Sequence, residues 1–390
     1  MPTSGLAGPS TPGGANDEPA VKIPAVVSMG AVLPSPAEIT AELQKRVIGQ
    51  GDAIREMSIA LAKKLAGLSV GNLLMIGSSG TGKTTLMRAV ENYLAARPHL
   101  AMRSTVVRLH ANVLGEEAER GRPGEAVLLR LLDRAREQLG EDTPIEQLLT
   151  QAKNGIVFVD EVDKIRAYVG GEANTSGIRA QEALLTVMEN EAVPLSLPAW
   201  AGGARVTVDS SGLLFVCGGA FEGLYDAVYD RVTIGKDRGA LKPVTVVENG
   251  TVHEKLVFRL RDWLRNEDLF RYGMSPQFLS RFDAVVLLAD LTETELVRIF
   301  LETPDSGYHQ ARAYFQSRGI KLMLSKQAIG RIAAEAAKEN RLGARALKEV
   351  FRRLIRDYEY DPEKSINSQN RQVLIDLPQV EKALSLRQRG

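Results

Sequence analysis

The segment that most constrains the fold is a glycine-rich loop, Gly77–Thr84, which reads Gly-Ser-Ser-Gly-Thr-Gly-Lys-Thr. An apolar run, Leu73–Ile76, precedes the loop, and a helical pattern follows it from Thr85. Strand, glycine loop and helix form the context in which the spacing GxxxxGK[ST] marks a phosphate site. Glycines let successive backbone N–H groups face an anion, beside the positive end of the helix dipole. The sequence therefore predicts an α/β nucleotide-binding domain.

Two side chains of this loop suit the phosphates and their metal ion. Lys83 brings a positive charge to the β- and γ-phosphates of ATP, and the Thr84 hydroxyl is a ligand for Mg²⁺. ATP and Mg²⁺ are therefore the expected cofactors. The neighbouring residues expected to contact the nucleotide are Ser79, Gly80, Thr81, Gly82 and Thr85.

Two acidic residues follow a second apolar run, Ile156–Val159. A continuous apolar run is typical of a strand covered on both faces, as in a parallel sheet. Open α/β sheets bind ligands at the carboxyl ends of their strands, so the acids should lie beside the phosphate loop. Asp160 is predicted to hold Mg²⁺, and Glu161 to polarise the water that attacks the γ-phosphate.

The composition of this 390-residue chain excludes several classes of protein. A formal net charge of +1 gives no overall field for nucleic acid or a membrane surface. One cysteine, Cys217, and four histidines provide neither a disulfide framework nor a set with zinc spacing. No apolar run approaches the ~20 residues of a membrane span. We expect a cytoplasmic protein with no membrane partner, and the neutral charge disfavours a nucleic-acid partner.

The chain divides into three parts by composition. Residues 1–36 are rich in Pro, Gly and Ser and are expected to be a flexible leader. Residues 37–289 alternate strand and helix patterns, with a polar loop expected over 115–124 and a loop or hairpin over 231–254. Residues 290–390 are mainly helical and are expected to form a small second domain.

Several further stretches carry a resemblance to a known family. They are Val47–Gln50 (VIGQ), Val159–Ile165 (VDEVDKI), Cys217–Leu224 (CGGAFEGL), Asn266–Phe278 (NEDLFRYGMSPQF) and Leu342–Leu347 (LGARAL). With the phosphate loop, they resemble the AAA+ ATPases of the Clp/HSP100 family, and most of all its ClpX unfoldases. The resemblance covers residues 42–377, and it implies a AAA+ P-loop domain followed by a small helical lid.

The resemblance also assigns roles to single residues. Val47, Ile48 and Ile299 match apolar residues near the adenine base. Arg281 matches the arginine finger that reaches the γ-phosphate of a neighbouring subunit, and Arg345 matches the sensor 2 arginine that contacts the nucleotide of its own subunit. The resemblance thus implies a homo-hexameric ring that pulls a protein substrate through a central pore.

The sequence departs from the family in the segments that handle substrate and partners. The first pore loop of the family carries an aromatic residue, whereas residues 121–124 read Gly-Arg-Pro-Gly, with Arg122 at the tip. The second pore loop matches a segment that contains Tyr168 and Val169, which is expected to grip substrate instead. Docking of a peptidase is doubtful because Ile234-Gly235-Lys236 lacks the Phe of the family's docking tripeptide. The cysteines of the family's N-terminal zinc-binding domain do not occur.

Three functions are therefore compatible with the sequence. The first is an ATP-driven protein unfoldase or remodelling chaperone. The second is a nucleotide-dependent assembly scaffold or switch, which the non-aromatic loop at Arg122 favours. The third is a DNA-acting AAA+ motor, which the neutral charge and the lack of a basic stripe with aromatic residues disfavour.

Overall fold

The computed structural model describes residues 33–119, 124–189, 192–235, 237, 243–248, 251–256, 258–339, 342–365 and 370–385. Arg122 and nearly all of the predicted leader lie outside these residues. The described strands are β1 Asn72–Ile76, β2 Val106–His110, β3 Ile156–Asp160, β4 Tyr168–Val169, β5 Glu172–Ala173, β6 Val193–Ser196, β7 Arg205–Val208, β8 Leu214–Gly219, β9 Pro243–Glu248, β10 Thr251–Leu256, β11 Phe282–Leu287, β12 Lys321–Leu324 and β13 Gln372–Ile375.

Helices connect most of these strands. The described α-helices are α1 Pro36–Gln44, α2 Gly51–Leu65, α3 Lys83–Ala95, α4 Pro98–Ala101, α5 Ala111–Glu119, α6 Glu125–Leu139, α7 Ile145–Lys153, α8 Thr175–Glu189, α9 Leu224–Thr233, α10 Leu260–Trp263, α11 Asn266–Tyr272, α12 Pro276–Leu279, α13 Glu293–Glu302, α14 Gly307–Ser317, α15 Lys326–Ala337, α16 Ala344–Tyr360 and α17 Leu377–Ser385. Among these residues, no helix combines the length and the apolarity needed to cross a bilayer.

A five-stranded parallel sheet in the order β11-β1-β8-β3-β2 forms the centre of the molecule. The three inner strands, β1, β8 and β3, are apolar and almost wholly buried, whereas the edge strands β2 and β11 alternate buried and exposed residues. Helices cover both faces, which explains the continuous apolar runs. The structure confirms the predicted α/β fold with a parallel sheet.

The alternation of side chains along each inner strand produces two cores, one on each face of the sheet. In β1, Leu74 and Ile76 join the core built with α5, α6, α8 and α9. Leu73 and Met75 join the core built with α1, α2, α3 and α4. The carboxyl ends of β1, β8 and β3 consequently lie side by side, with β8 between the other two.

A third core contains only residues from Leu291 onward. It packs α13–α17 around a two-stranded parallel sheet, β12 and β13. The N-terminus of α13 has the predicted capping box, in which Thr292 accepts from the backbone N–H of Glu295 at 3.3 Å. This separate core supports the predicted division between residues 289 and 290, which stays a prediction.

Two predicted loops have different outcomes. The prediction of a loop over residues 115–124 is wrong for its first half, because α5 continues to Glu119. Leu114 of α5 is fully buried, and Gly115 brings the helix close to α8, where a Cβ would lie 3.3 Å from Ser176 Oγ. In contrast, the region 231–254 contains the hairpin offered as one alternative, since β9 and β10 pair antiparallel.

Candidate nucleotide-binding site

The phosphate loop connects β1 to α3 through two glycines in the left-handed region, Gly80 at φ +77° and Gly82 at φ +108°. Such angles favour glycine strongly. Thr81, which is 1% exposed, donates its hydroxyl hydrogen to the carbonyl of Ser78 at 2.8 Å. The side-chain amide of Gln50 donates to the carbonyl of Thr81 at 3.0 Å. These bonds hold the loop in its curled shape.

Lys83 is the first residue of α3 and is buried at the base of the loop. Its ammonium group donates to the carbonyls of Gly77 and Ser78, the latter at 3.0 Å. Burial lowers the pKa of Lys83 to about 8, while the carboxylates of Asp160 and Asp163 raise it and Arg345 lowers it further. A phosphate anion would add negative charge here and favour the protonated amine.

The two predicted acids stand at the end of β3. Asp160 is 9% exposed, and its Oδ2 accepts the hydroxyl hydrogen of Thr84 at 2.9 Å. Glu161 has φ +61°, a conformation that costs about 1–3 kcal/mol for a residue other than glycine. Its Oε2 lies 3.7 Å from Nδ1 of His110, at the end of β2. Strain of this kind is typical of functional turns.

The oxygens of Thr84 and Asp160 fit a hard cation such as Mg²⁺. Magnesium is commonly held by one or two protein oxygens, with phosphates and waters completing its octahedron. In the described part of the chain, no group of three or more His, Cys, Asp and Glu residues is arranged to hold a metal ion.

One cleft of about 610 Å³ collects nearly all of the predicted nucleotide contacts. The predicted residues that line it are Val47, Ile48, Ser79, Gly80, Thr81, Gly82, Lys83, Thr84, Thr85, Asp160, Glu161, Ile299 and Arg345. Its volume lies within the range of small-molecule pockets, roughly 300–1,000 Å³. The cleft has an apolar end at Val47 and Ile48, which are both buried, and a charged end at Lys83 and Asp160.

The helical part of the chain reaches the phosphate loop directly. The backbone N–H of Ala344, where α16 begins, donates to the carbonyl of Gly80 at 3.2 Å. Gly343, at φ +47°, allows this approach, since a Cβ there would lie 2.7 Å from the same carbonyl oxygen. A Cβ at Gly80 would lie 2.3 Å from the carbonyl oxygen of Leu342. This close contact sets Arg345 on the wall of the cleft.

Arg281 is the one predicted catalytic residue that does not line this cleft. It follows α12 and forms an ion pair with Glu189, at the end of α8, while its side chain is 43% exposed. Its carbonyl accepts from the side-chain amide of Asn72 at 3.0 Å. The described fold therefore holds Arg281 at the surface, away from the nucleotide cleft of its own chain.

Tyr168 and Val169 form one strand of a small antiparallel hairpin, β4–β5. Tyr168 is 55% exposed and Val169 is 44% exposed. Gly170 at φ +62° and Gly171 at φ +88° form the connection, which is the geometry of a tight type I′ turn. The backbone N–H of Ala167 donates to the carbonyl of Gly273 at 2.7 Å and fixes the hairpin base. The hairpin thus presents two apolar side chains to solvent.

The cleft also contains charged residues that the sequence did not single out. They are Arg46, Arg88, Asp163, Lys164, Glu222, Asp305 and Lys348. The sequence contained a signal for two of them, namely their helical spacing from a predicted site residue. Arg88 lies four residues after Thr84 in α3, and Lys348 lies three residues after Arg345 in α16. Residues at these helical spacings share a face.

Comparisons with known proteins agree with this geometry. A model of the AAA family, the ATPase family associated with various cellular activities, matches residues 73–217. The ATP-dependent Clp protease ATP-binding subunit ClpX 3 of Methylococcus capsulatus is 32% identical over 351 residues, which cover 83% of this chain and 75% of that protein. The ATP-dependent Clp protease ATP-binding subunit ClpX of Treponema denticola is 29% identical over 351 residues, which cover 85% of this chain and 78% of that protein.

Proposed function

This chain belongs to the Clp/HSP100 family of AAA+ ATPases and resembles the ClpX proteins, and from that premise we propose that it unfolds or remodels protein substrates with the energy of ATP. It binds nucleotide and hydrolyses ATP. The observation that carries the proposal is that the predicted functional residues lie in two kinds of place. Thirteen predicted residues line one cleft, whereas Arg281 and the Tyr168–Val169 hairpin lie at the surface outside it.

Within the cleft, each residue acts on a different part of the nucleotide. Val47, Ile48 and Ile299 provide an apolar seat for the base, and Lys83 neutralises phosphate charge. Thr84 and Asp160, joined by their 2.9 Å hydrogen bond, hold Mg²⁺, which when bound neutralises charge on the transferred phosphoryl group. Glu161 takes the proton of the attacking water, and its exposed carboxylate leaves room for that water.

Arg281 completes a different site, in a neighbouring copy of the chain. Its side chain is exposed and paired with Glu189, so it is available at the surface yet held in one place. An arginine supplied in trans to a phosphoryl transfer accelerates it by about 10³–10⁵. A cleft that needs the next subunit's arginine requires an assembly of several copies, and the resemblance to ClpX favours a hexameric ring.

We place substrate contact at the Tyr168–Val169 hairpin. An exposed aromatic and an exposed aliphatic side chain on a short hairpin can pack against the apolar side chains of an unfolded segment. The relatives' names describe ATP-binding subunits of a Clp protease. Since this sequence lacks the docking Phe after Ile234-Gly235, we propose that it works without that peptidase.

The proposal is tested by the number of substrate molecules unfolded per ATP hydrolysed. The probe is a fluorescent reporter domain with a long unstructured tail. Tyr168→Ala should lower this ratio about tenfold or more, while Tyr360→Ala, an equally aromatic but distant residue at 91% exposure, should leave it unchanged.

The other functions predict different results. A scaffold or switch ATPase would hydrolyse ATP without unfolding the reporter domain, and its turnover would not respond to that domain. A DNA-acting motor would show turnover stimulated by duplex or single-stranded DNA rather than by protein. Either pattern would replace the unfoldase proposal.

A further inference from the structure

Asp163 is a buried acid beside the nucleotide cleft to which neither the sequence motifs nor the resemblance gives a role. It lies in a short 3₁₀ turn, Val162–Lys164, directly after Glu161, and is 1% exposed. It nevertheless lines the cleft. A carboxylate so deeply buried is costly unless its oxygens find partners.

Only one of its two oxygens has a hydrogen-bond donor in the described structure. Oδ1 accepts from the backbone N–H of Ala220 at 3.2 Å. Oδ2 is buried with no hydrogen bond, and its nearest described cation is Nζ of Lys164, at 3.8 Å. Buried polar atoms without a partner are rare, and such an atom at a binding site points to a ligand.

The end of β8 is built to admit this carboxylate. The segment that resembles the family's sensor 1, Gly218-Gly219-Ala220, has no polar side chain. A Cβ at Gly219 would lie 2.7 Å from Oδ1 of Asp163, closer than a real Cβ can approach. Gly219 thus lets Asp163 approach the end of β8, the strand that separates the phosphate loop from Glu161.

We propose that Asp163 is a second acid of the Mg²⁺–ATP site, whose Oδ2 accepts a hydrogen bond from a water on the metal ion. Asp160 and Thr84 would hold the ion, and Asp163 would hold one of its waters in place. This role supplies the missing donor for Oδ2 and places negative charge opposite Lys83. The hydrogen bond from the backbone N–H of Ala220 to Oδ1 fixes the carboxylate of Asp163, so Oδ2 keeps one orientation.

The inference rests on the proposed Mg²⁺ site but not on the proposed unfoldase activity. Its test is the Mg²⁺ concentration that half-saturates binding of a fluorescent, slowly hydrolysed ATP analogue to the full chain, with affinity in EDTA measured alongside. Asp163→Asn keeps an oxygen that can accept from Ala220 but removes the charge. Outer partners of metal ligands typically contribute about 10–100-fold in metal affinity. We therefore expect at least a tenfold higher Mg²⁺ requirement and an unchanged affinity in EDTA.

Two further variants separate this role from a structural one. Glu56→Gln removes an exposed charge from α2, outside the cleft, and should leave the Mg²⁺ requirement unchanged. Lys164→Met removes the competing cation at an exposed position and should lower the requirement. If Asp163→Asn binds Mg²⁺ like the parent, or if it does not fold and Lys164→Met has no effect, Asp163 is structural and the inference fails. If Mg²⁺ does not strengthen binding to the parent protein, the proposed metal site itself fails.

Discussion

At the scale of single residues, Glu161 combines an exposed carboxylate with a left-handed backbone at the end of a buried strand. Glu161→Gln preserves the Cβ and hence the backbone strain, but it removes the base. We expect ATP to stay bound while turnover falls by about 10²–10⁴, the usual contribution of a general base. Steady-state hydrolysis and binding of a fluorescent ATP analogue measure the two effects.

Glu56→Gln is the matched control for this change, since Glu56 is an exposed acid of α2 that lies outside the cleft. Its turnover should stay within about twofold of the parent protein, because a surface substitution rarely has a large effect. Wild-type turnover in Glu161→Gln would show that another group activates the water.

The buried ammonium of Lys83 predicts that the free energy of unfolding and the affinity for ATP change with pH in opposite directions. Its pKa in the nucleotide-free fold is about 8, below its ordinary value of 10.5, so the unfolded chain binds more protons between these pH values. The free energy of unfolding of the nucleotide-free protein should therefore rise as pH increases from about 8 to 10. The affinity for ATP should fall over the same window, by up to about tenfold per pH unit, because the charged amine is the form that binds phosphate.

Lys64 provides the control for this pH profile. Burial also lowers its pKa to about 8, yet it lies in α2, outside the cleft. Lys64→Met should change the pH dependence of stability and leave the pH dependence of ATP affinity as it was. An affinity that does not change between pH 7 and 9.5 in the parent protein would contradict a phosphate role for Lys83.

At the scale of elements, the close contact between the start of α16 and the phosphate loop depends on Gly343. A side chain there meets the Gly80 carbonyl and must adopt a positive φ, a strain of about 1–3 kcal/mol. Gly343→Val should weaken ATP binding by about tenfold or more and lower turnover, since Arg345 is displaced from the cleft. Gly330→Ala, within α15 with open space around it, should leave binding unchanged and stabilise the fold by up to about 1 kcal/mol. Normal ATP affinity in Gly343→Val would show that nucleotide binding does not depend on the contact between α16 and the phosphate loop.

The elements nearest the site were also the ones that the sequence predicted best. The phosphate loop and the strand before Asp160 have strong local signals, since glycine spacing and continuous apolar runs each have one physical explanation. The α5 helix was missed because its buried face depends on contact with α8, a partner that no local pattern indicates. Asp163 was missed for a related reason, because its burial and its bond to Ala220 join segments far apart in the chain.

At the scale of the whole molecule, the central claim is that each ATP site is completed by Arg281 of a neighbouring subunit. The exposed position of this residue, paired with Glu189 and outside its own cleft, is compatible with this role. The pairing with Glu189 also implies that the arginine is oriented before a neighbour arrives. A ring assembled from such subunits would share every active site between two copies.

The most direct measurement is ATP turnover as a function of protein concentration, with mass determined in parallel, for parent protein mixed with Arg281→Ala in varying ratios. We expect specific activity to rise with assembly, Arg281→Ala alone to lose about 10³–10⁵-fold, and mixed rings to lose the activity of each site that faces a variant subunit. Turnover that is independent of concentration in a monomer, or that Arg281→Ala changes less than about threefold, would contradict the shared site and with it the ring.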